Sequence, residues 1–186
     1  MDLQYTKDFL ERAGVIFSPG LSQDEIQQIQ RTWRFRFPPD LKAFLMFALP
    51  VSKGFIDWRQ LGREQIAALL VWPYEGICFD IENDNFWLEE WGPHPDLLEE
   101  AFEIARKAVE VAPTLIPVCG HRYMPETPYE SGNPIFSVYQ TDIIYYGRDL
   151  ANYLENEFGH GHGRETSNLR LPLSHFKYIE FWTDFC

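Results

Sequence analysis

Apolar residues recur at three- and four-residue intervals over much of the chain and gather in short continuous or alternating runs later, a change of period that separates helices from strands. The spacing predicts an amphipathic helix over 3–13, with Gly14 as its left-handed cap. Ser22 followed by Glu25 forms a capping box, and Leu21 can staple onto Ile26, so a second helix starts there. Pro38-Pro39-Asp40 opens a third, in which Leu41, Phe44, Leu45 and Ala48 share one face until Pro50 ends it.

Residues 55–58 read as a short strand, 64–71 as a short helix and 76–81 as a second strand. The longest helix is expected over 96–111, where Leu98, Ala101, Phe102, Ala105, Ala108, Val109 and Ala112 make one stripe and Pro113 stops it. Residues 115–119, 134–139 and 142–146 are dense in β-branched and aromatic side chains and read as strands. A helix fits 149–158, and the aromatic tail over 175–185 is expected to pack back as another. Helices gathered before the sheet, with no regular βαβ alternation, predict an α+β fold with helices on one face of the sheet.

At 186 residues the chain suits a single domain over 1–186, and 45% apolar residues with 16% aromatics supply a packed core. The formal net charge is −12, a balance that repels a phosphate backbone and argues against direct nucleic-acid binding. The excess is uneven: residues 1–74 hold 8 acids and 9 bases, 75–110 hold 11 and 2, and 111–186 hold 9 and 5. No run reaches the length of a membrane span, and the first residues lack the layout of a secretion signal, so a cytoplasmic location without membrane contact is expected. Cys78, Cys119 and Cys186 are an odd set without regular spacing and read as reduced thiols.

Few residues advertise catalysis. His160 and His162 alternate in a glycine loop, whereas a metal site needs three or four rigidly held ligands. Cys119 and His121 share a strand face and could pair as thiolate and imidazole, yet Cys119 closes the apolar run of Leu115, Ile116, Pro117 and Val118, where cysteine acts as a small buried hydrophobe. Residues 80–85 begin like a calcium loop, but with Asp80 first the sixth and twelfth places hold Asn85 and Trp91, not glycine and glutamate, so a solvated acidic turn is expected. No nucleophile elbow, phosphate loop, dinucleotide fingerprint or paired CxxC is present, and no cofactor is implied.

What stands out is acid and aromatic side chains together. Phe86, Trp87, Glu89, Glu90 and Trp91 crowd one stretch, with Glu82, Asp84 and Glu99 around it. Trp87 and Trp91 read either as interface anchors or, four apart, as core residues of a helix face. The carboxylates must present a negative surface, which suits steering of a basic partner.

Residues 132–147, continued by Asp149, Leu150, Tyr153, Leu154 and Glu155, resemble the signature stretch of the SUKH superfamily, the Smi/Knr type. Residues 37–45 are similar to that family's Leu-Pro-x-Asp-Tyr/Leu-x-x-Phe-Leu helix, and 116–123 to its central strand and turn. The matches span about 20–158, with residues 165–186 expected to pack back on that core. One departure follows Leu49, where Pro50-Val51-Ser52-Lys53-Gly54 stands in place of the family's frequent Asn-Gly or Gly-Gly. The resemblance implies a central antiparallel sheet with packed helices and a function by protein binding. Many bacterial members are immunity proteins that block nuclease or deaminase toxins, and fungal members regulate cell-wall synthesis. It carries over no catalytic residue. The leading expectation is an immunity-type protein or regulatory adaptor that binds a basic toxin domain or other protein, without enzymatic activity; the alternative is a metal-dependent or thiol hydrolase using His160 and His162, or Cys119 and His121. Nothing in the sequence sets the oligomeric state.

Overall fold

The computed structural model describes residues 1–159 and 172–186. Helix α1 (Leu3–Arg12) is capped by Asp2, whose carboxylate accepts from the Tyr5 N–H. At its other end Gly14 N–H donates to Glu11 O and Val15 N–H to Leu10 O, the Schellman arrangement, with Gly14 at φ +85°. Helix α2 (Gln23–Trp33) begins in the expected capping box, and Leu21 and Ile26 are both buried beside it. Helix α3 (Pro39–Phe47) runs directly into β2 (Ala48–Pro50), which pairs antiparallel with β1 (Phe17–Pro19).

Helix α4 (Arg63–Asn83) is the longest element among the described residues, at 21 residues. It absorbs both the helix expected over 64–71 and the strand expected over 76–81, so that strand is corrected to helix. Two features disguise it. Pro73 sits inside the helix and lacks the N–H that would reach Leu69 O, a defect that normally costs about 3 kcal/mol. Here the Tyr123 hydroxyl donates to Leu69 O at 2.9 Å and restores the missing bond from another element. Gly76, the second disguise, lies where a side chain would meet the main chain of Gln140, with a Cβ only 2.7 Å from its Cα. Tertiary contacts thus select helix where local preference does not.

Helix α5 (Leu98–Val111) follows, then four strands in the order β3 (Leu115–Cys119), β4 (Arg122–Pro125), β5 (Ile135–Tyr139) and β6 (Asp142–Gly147), each antiparallel to the next. Helix α6 (Leu150–Phe158) is capped by Asp149. The class is α+β, as the pattern predicts. Residues 55–58 supply only a bridge between Phe55 and Cys119 and not the expected strand.

Adjacent sheet residues point into different cores, as strand geometry requires. Ile116, Met124 and Ile135 join α1, α2, α3 and α6 in one cluster, while Leu115, Tyr123 and Phe136 join the second half of α4, α5 and the tail in another. The sheet is therefore covered on both faces, not on one. Residues 172–186 do pack back, but as short 3₁₀ turns and extended chain instead of a helix. Trp182 is 1% exposed and donates from Nε1 to Pro113 O at 2.6 Å, and Tyr145 Oη bonds Lys177 O and Thr183 Oγ1.

Candidate protein-binding face

Helix α4 sets the geometry of the acidic region. Its inward face carries Ile77, Asp80 and Ile81, and Asp80 is buried at 5% exposure, so the solvated turn expected at 80–85 is corrected there. Its Oδ2 accepts from the Thr141 main-chain N–H at 2.9 Å and from Thr141 Oγ1 at 2.5 Å. Both donors converge on that one oxygen, which compensates part of the cost of burying the group, while Oδ1 is buried without a hydrogen-bond partner among the described residues. Together with the Gly76–Gln140 contact, this pair fastens the tip of the β5–β6 hairpin to α4 and brings the exposed Tyr139 to the helix.

Beyond α4 the chain turns back on its aromatic rings. Asp84 is the C-cap of α4 and is exposed. Phe86 stacks on Phe185 at 5.7 Å and meets Trp91 edge-on at 6.0 Å. Trp87 packs edge-on against Trp91 at 5.1 Å, and its Nε1 donates to Gly92 O at 2.7 Å. All three rings are half-buried against the second core. Trp87 and Trp91 accordingly serve packing, in a loop and a 3₁₀ turn (Glu89–Trp91) and not on a helix face. The same turn leaves Glu89 and Glu90 exposed, and Glu82 and Glu99 are exposed on α4 and α5.

Sequence reasoning missed the aromatics that do face outward. Trp72 (41% exposed) and Phe79 (49%) stand on α4 with Glu75 and Glu82, at intervals of three, four and three residues. That is one helical stripe, visible only once 63–83 is read as continuous helix. Trp72 is partly fixed by its Nε1–H bond to Val138 O at 3.2 Å. Leu97 and Leu98 at the start of α5 are exposed as well.

The electrostatics are lopsided. Of the eleven carboxylates in 75–110, Asp80 is buried and Glu103 half-buried; the other nine are exposed, and none forms an ion pair among the described residues. Both cations of the region, Arg106 and Lys107, pair with the single carboxylate Glu103. Behind this surface Tyr74 donates to Phe102 O at 3.2 Å and joins α4 to α5; burial pushes its hydroxyl up to about 12.

The residues singled out for catalysis are arranged differently. Cys119 is buried, its thiol donates to Lys53 O at 3.3 Å, and burial raises its pKa to about 11, so it is a neutral thiol at pH 7. His121 is held below its ordinary value by burial and then by Arg122. His160 and His162 lie outside the described residues. Among the described residues no group of three or more His, Cys, Asp or Glu is placed to hold a metal, and no helix is long and apolar enough to cross a membrane. Comparison with family models, with curated proteins and with solved structures finds no match for this chain.

Proposed function

We propose that the chain is a protein-binding module of the immunity type, which neutralises a basic toxin domain by covering it and not by chemistry. The observation that supports this reading is the surface of α4, α5 and the segment joining them: nine exposed carboxylates without ion-pair partners among the described residues, in a stretch that also exposes the side chains of Trp72, Phe79, Leu97 and Leu98. Unpaired surface charge of one sign steers a partner of the opposite sign, and exposed aromatics provide the desolvated anchors that carry most interface energy. A basic, nucleic-acid-cleaving or nucleotide-modifying active site is the kind of surface such a face complements. The resemblance of residues 132–147 and 37–45 to the Smi/Knr type points to the same class of partner.

The apolar anchors are assigned to Trp72 and Phe79, with Glu82, Asp84, Glu89, Glu90 and Glu99 as the charged surround. The test is a paired capture from native extract, with the wild-type chain and E89K/E90K/E99K as baits. A basic protein retained by the first and lost by the second supports the proposal. Equal retention by both baits, or no protein retained, counts against it.

A further inference from the structure

Outside that face, one groove gathers side chains of the opposite sign. Gln27, Gln30, Arg31, Arg34, Arg36 and Glu126 line an open groove of about 500 Å³ at the end of α2. Helical spacing puts Gln27, Gln30 and Arg31 on one side of the helix. Arg34 then adopts the left-handed conformation at φ +59°, which turns the chain so that Phe35 enters the core while Arg34 and Arg36 stay exposed. Arg36 is held against the Tyr129 ring, with its guanidinium carbon 4.2 Å from the centroid.

Three acceptors of this groove are already engaged. Gln27 Oε1 accepts from Arg31 Nη2 at 2.7 Å, Gln30 Oε1 from the Phe37 N–H at 2.9 Å, and Glu126 Oε1 from the Arg36 N–H at 3.0 Å. A guanidinium and a main-chain N–H can only donate, so both glutamine side chains must direct their oxygens inward and keep their NH₂ groups as donors. Three guanidiniums against one carboxylate leave a local charge of about +2, and Arg34 has no ion-pair partner among the described residues. The C-terminal dipole of α2 opposes an anion here, but it amounts to only about half a unit charge.

We infer that this groove is a binding site for a compact phosphoryl group carrying about two negative charges, such as that of a diphosphate. Guanidinium forks match phosphate oxygens, and a lining in which donors outnumber acceptors favours a ligand that accepts. The ligand is compact because surface fields decay over about 8 Å at physiological ionic strength, beyond which a long polyanion meets the acidic bulk of a chain of net charge −12. This site is independent of the protein-binding face.

The test is an NMR titration of the full chain with sodium pyrophosphate, and in a second arm with ADP, at ionic strength held constant with sodium chloride. Saturable shifts are expected at the Nε–H signals of Arg31, Arg34 and Arg36 and at the side-chain amides of Gln27 and Gln30. Tight binding of ADP beside weak pyrophosphate would identify a nucleotide as the source, and equal binding a bare phosphoryl group. R31Q is expected to weaken binding about 10-fold, the usual scale for a lost charge-assisted hydrogen bond. R34G separates binding from folding, because glycine favours the left-handed backbone: affinity drops by a similar factor of about 10 while thermal stability holds or rises. Absence of saturation at about 10 mM, a concentration at which even weak specific sites fill, overturns the inference. So do equal shifts at Arg106 and Arg148, or an oligonucleotide that binds more tightly than pyrophosphate.

Discussion

The α2 groove and the α4–α5 face carry opposite charge for one structural reason: in each, the minority sign is outnumbered and already engaged. In the groove the minority is Glu126, held by Arg36. On the face the minority is Arg106 and Lys107, both on Glu103. The two differ in apolar content. The groove offers donors around a buried Phe35, whereas the face exposes Trp72 and Phe79 among its carboxylates. A net charge of −12 describes neither region, and the contrast suits one to a small anion and the other to a basic macromolecular surface.

The support under the acidic face breaks the comparison most severely. Asp80→Ala leaves the Thr141 N–H and hydroxyl without their acceptor and frees the hairpin tip from α4, at a cost of about 2–3 kcal/mol. Urea denaturation reads the loss, and hydrogen exchange should show it first in the second half of α4 and in β5–β6, with α2 amides protected as before. Gly76→Ala should follow at about 1–2 kcal/mol: the helix-propensity gain of about 1 kcal/mol is overridden by a Cβ driven into the Gln140 main chain. A stabilised Gly76→Ala protein would contradict the close packing of hairpin on helix.

The smallest effect lies on α2, at the end opposite the groove. Arg59 bridges the start of α2 to the preceding turn, donating to Glu25 and to the carbonyls of Pro19 and Gly20. Its guanidinium, with help from Ser22, lowers the Glu25 carboxyl from 4.5 to about 2. Because folding depresses this pKa, the contribution is complete above pH 4.5 and disappears as pH falls toward about 2. Solvent screening of a part-exposed pair keeps it below about 1 kcal/mol. Glu25→Gln should therefore flatten the acid limb of a stability–pH profile by that amount and leave the neutral-pH spectrum of the acidic face unchanged.

Much of the fold was legible because local chemistry and tertiary structure agreed. The Ser22–Glu25 box, Pro39 at the first turn of α3, the α5 stripe and the Asp149 cap each specify an element by themselves, and the runs at 115–119, 134–139 and 142–146 are strands. Helix α4 was not legible, since Pro73 and Gly76 argue against helix and the contacts that outweigh them, Tyr123 and Gln140, are 50 and 64 residues away in sequence. The three-residue strands β1 and β2 and the proline-ended β4 are too short to show a period. For the candidate site, composition located the carboxylates of Glu82, Asp84, Glu89, Glu90 and Glu99 on the surface but misplaced Asp80, whose partner Thr141 lies on a distant hairpin. Of the aromatics, Trp87 and Trp91 are half-buried against the second core, and the missed helix hid the exposed Trp72 and Phe79.

The protein-binding face is tested most directly by the association rate of the captured partner, measured by stopped flow across ionic strength. For the wild-type chain the rate should fall at least about 10-fold between about 0.05 and 0.5 M salt, and E89K/E90K/E99K should start low and lose most of that dependence. Rates that are equal for both proteins and indifferent to salt would contradict the assignment of this face.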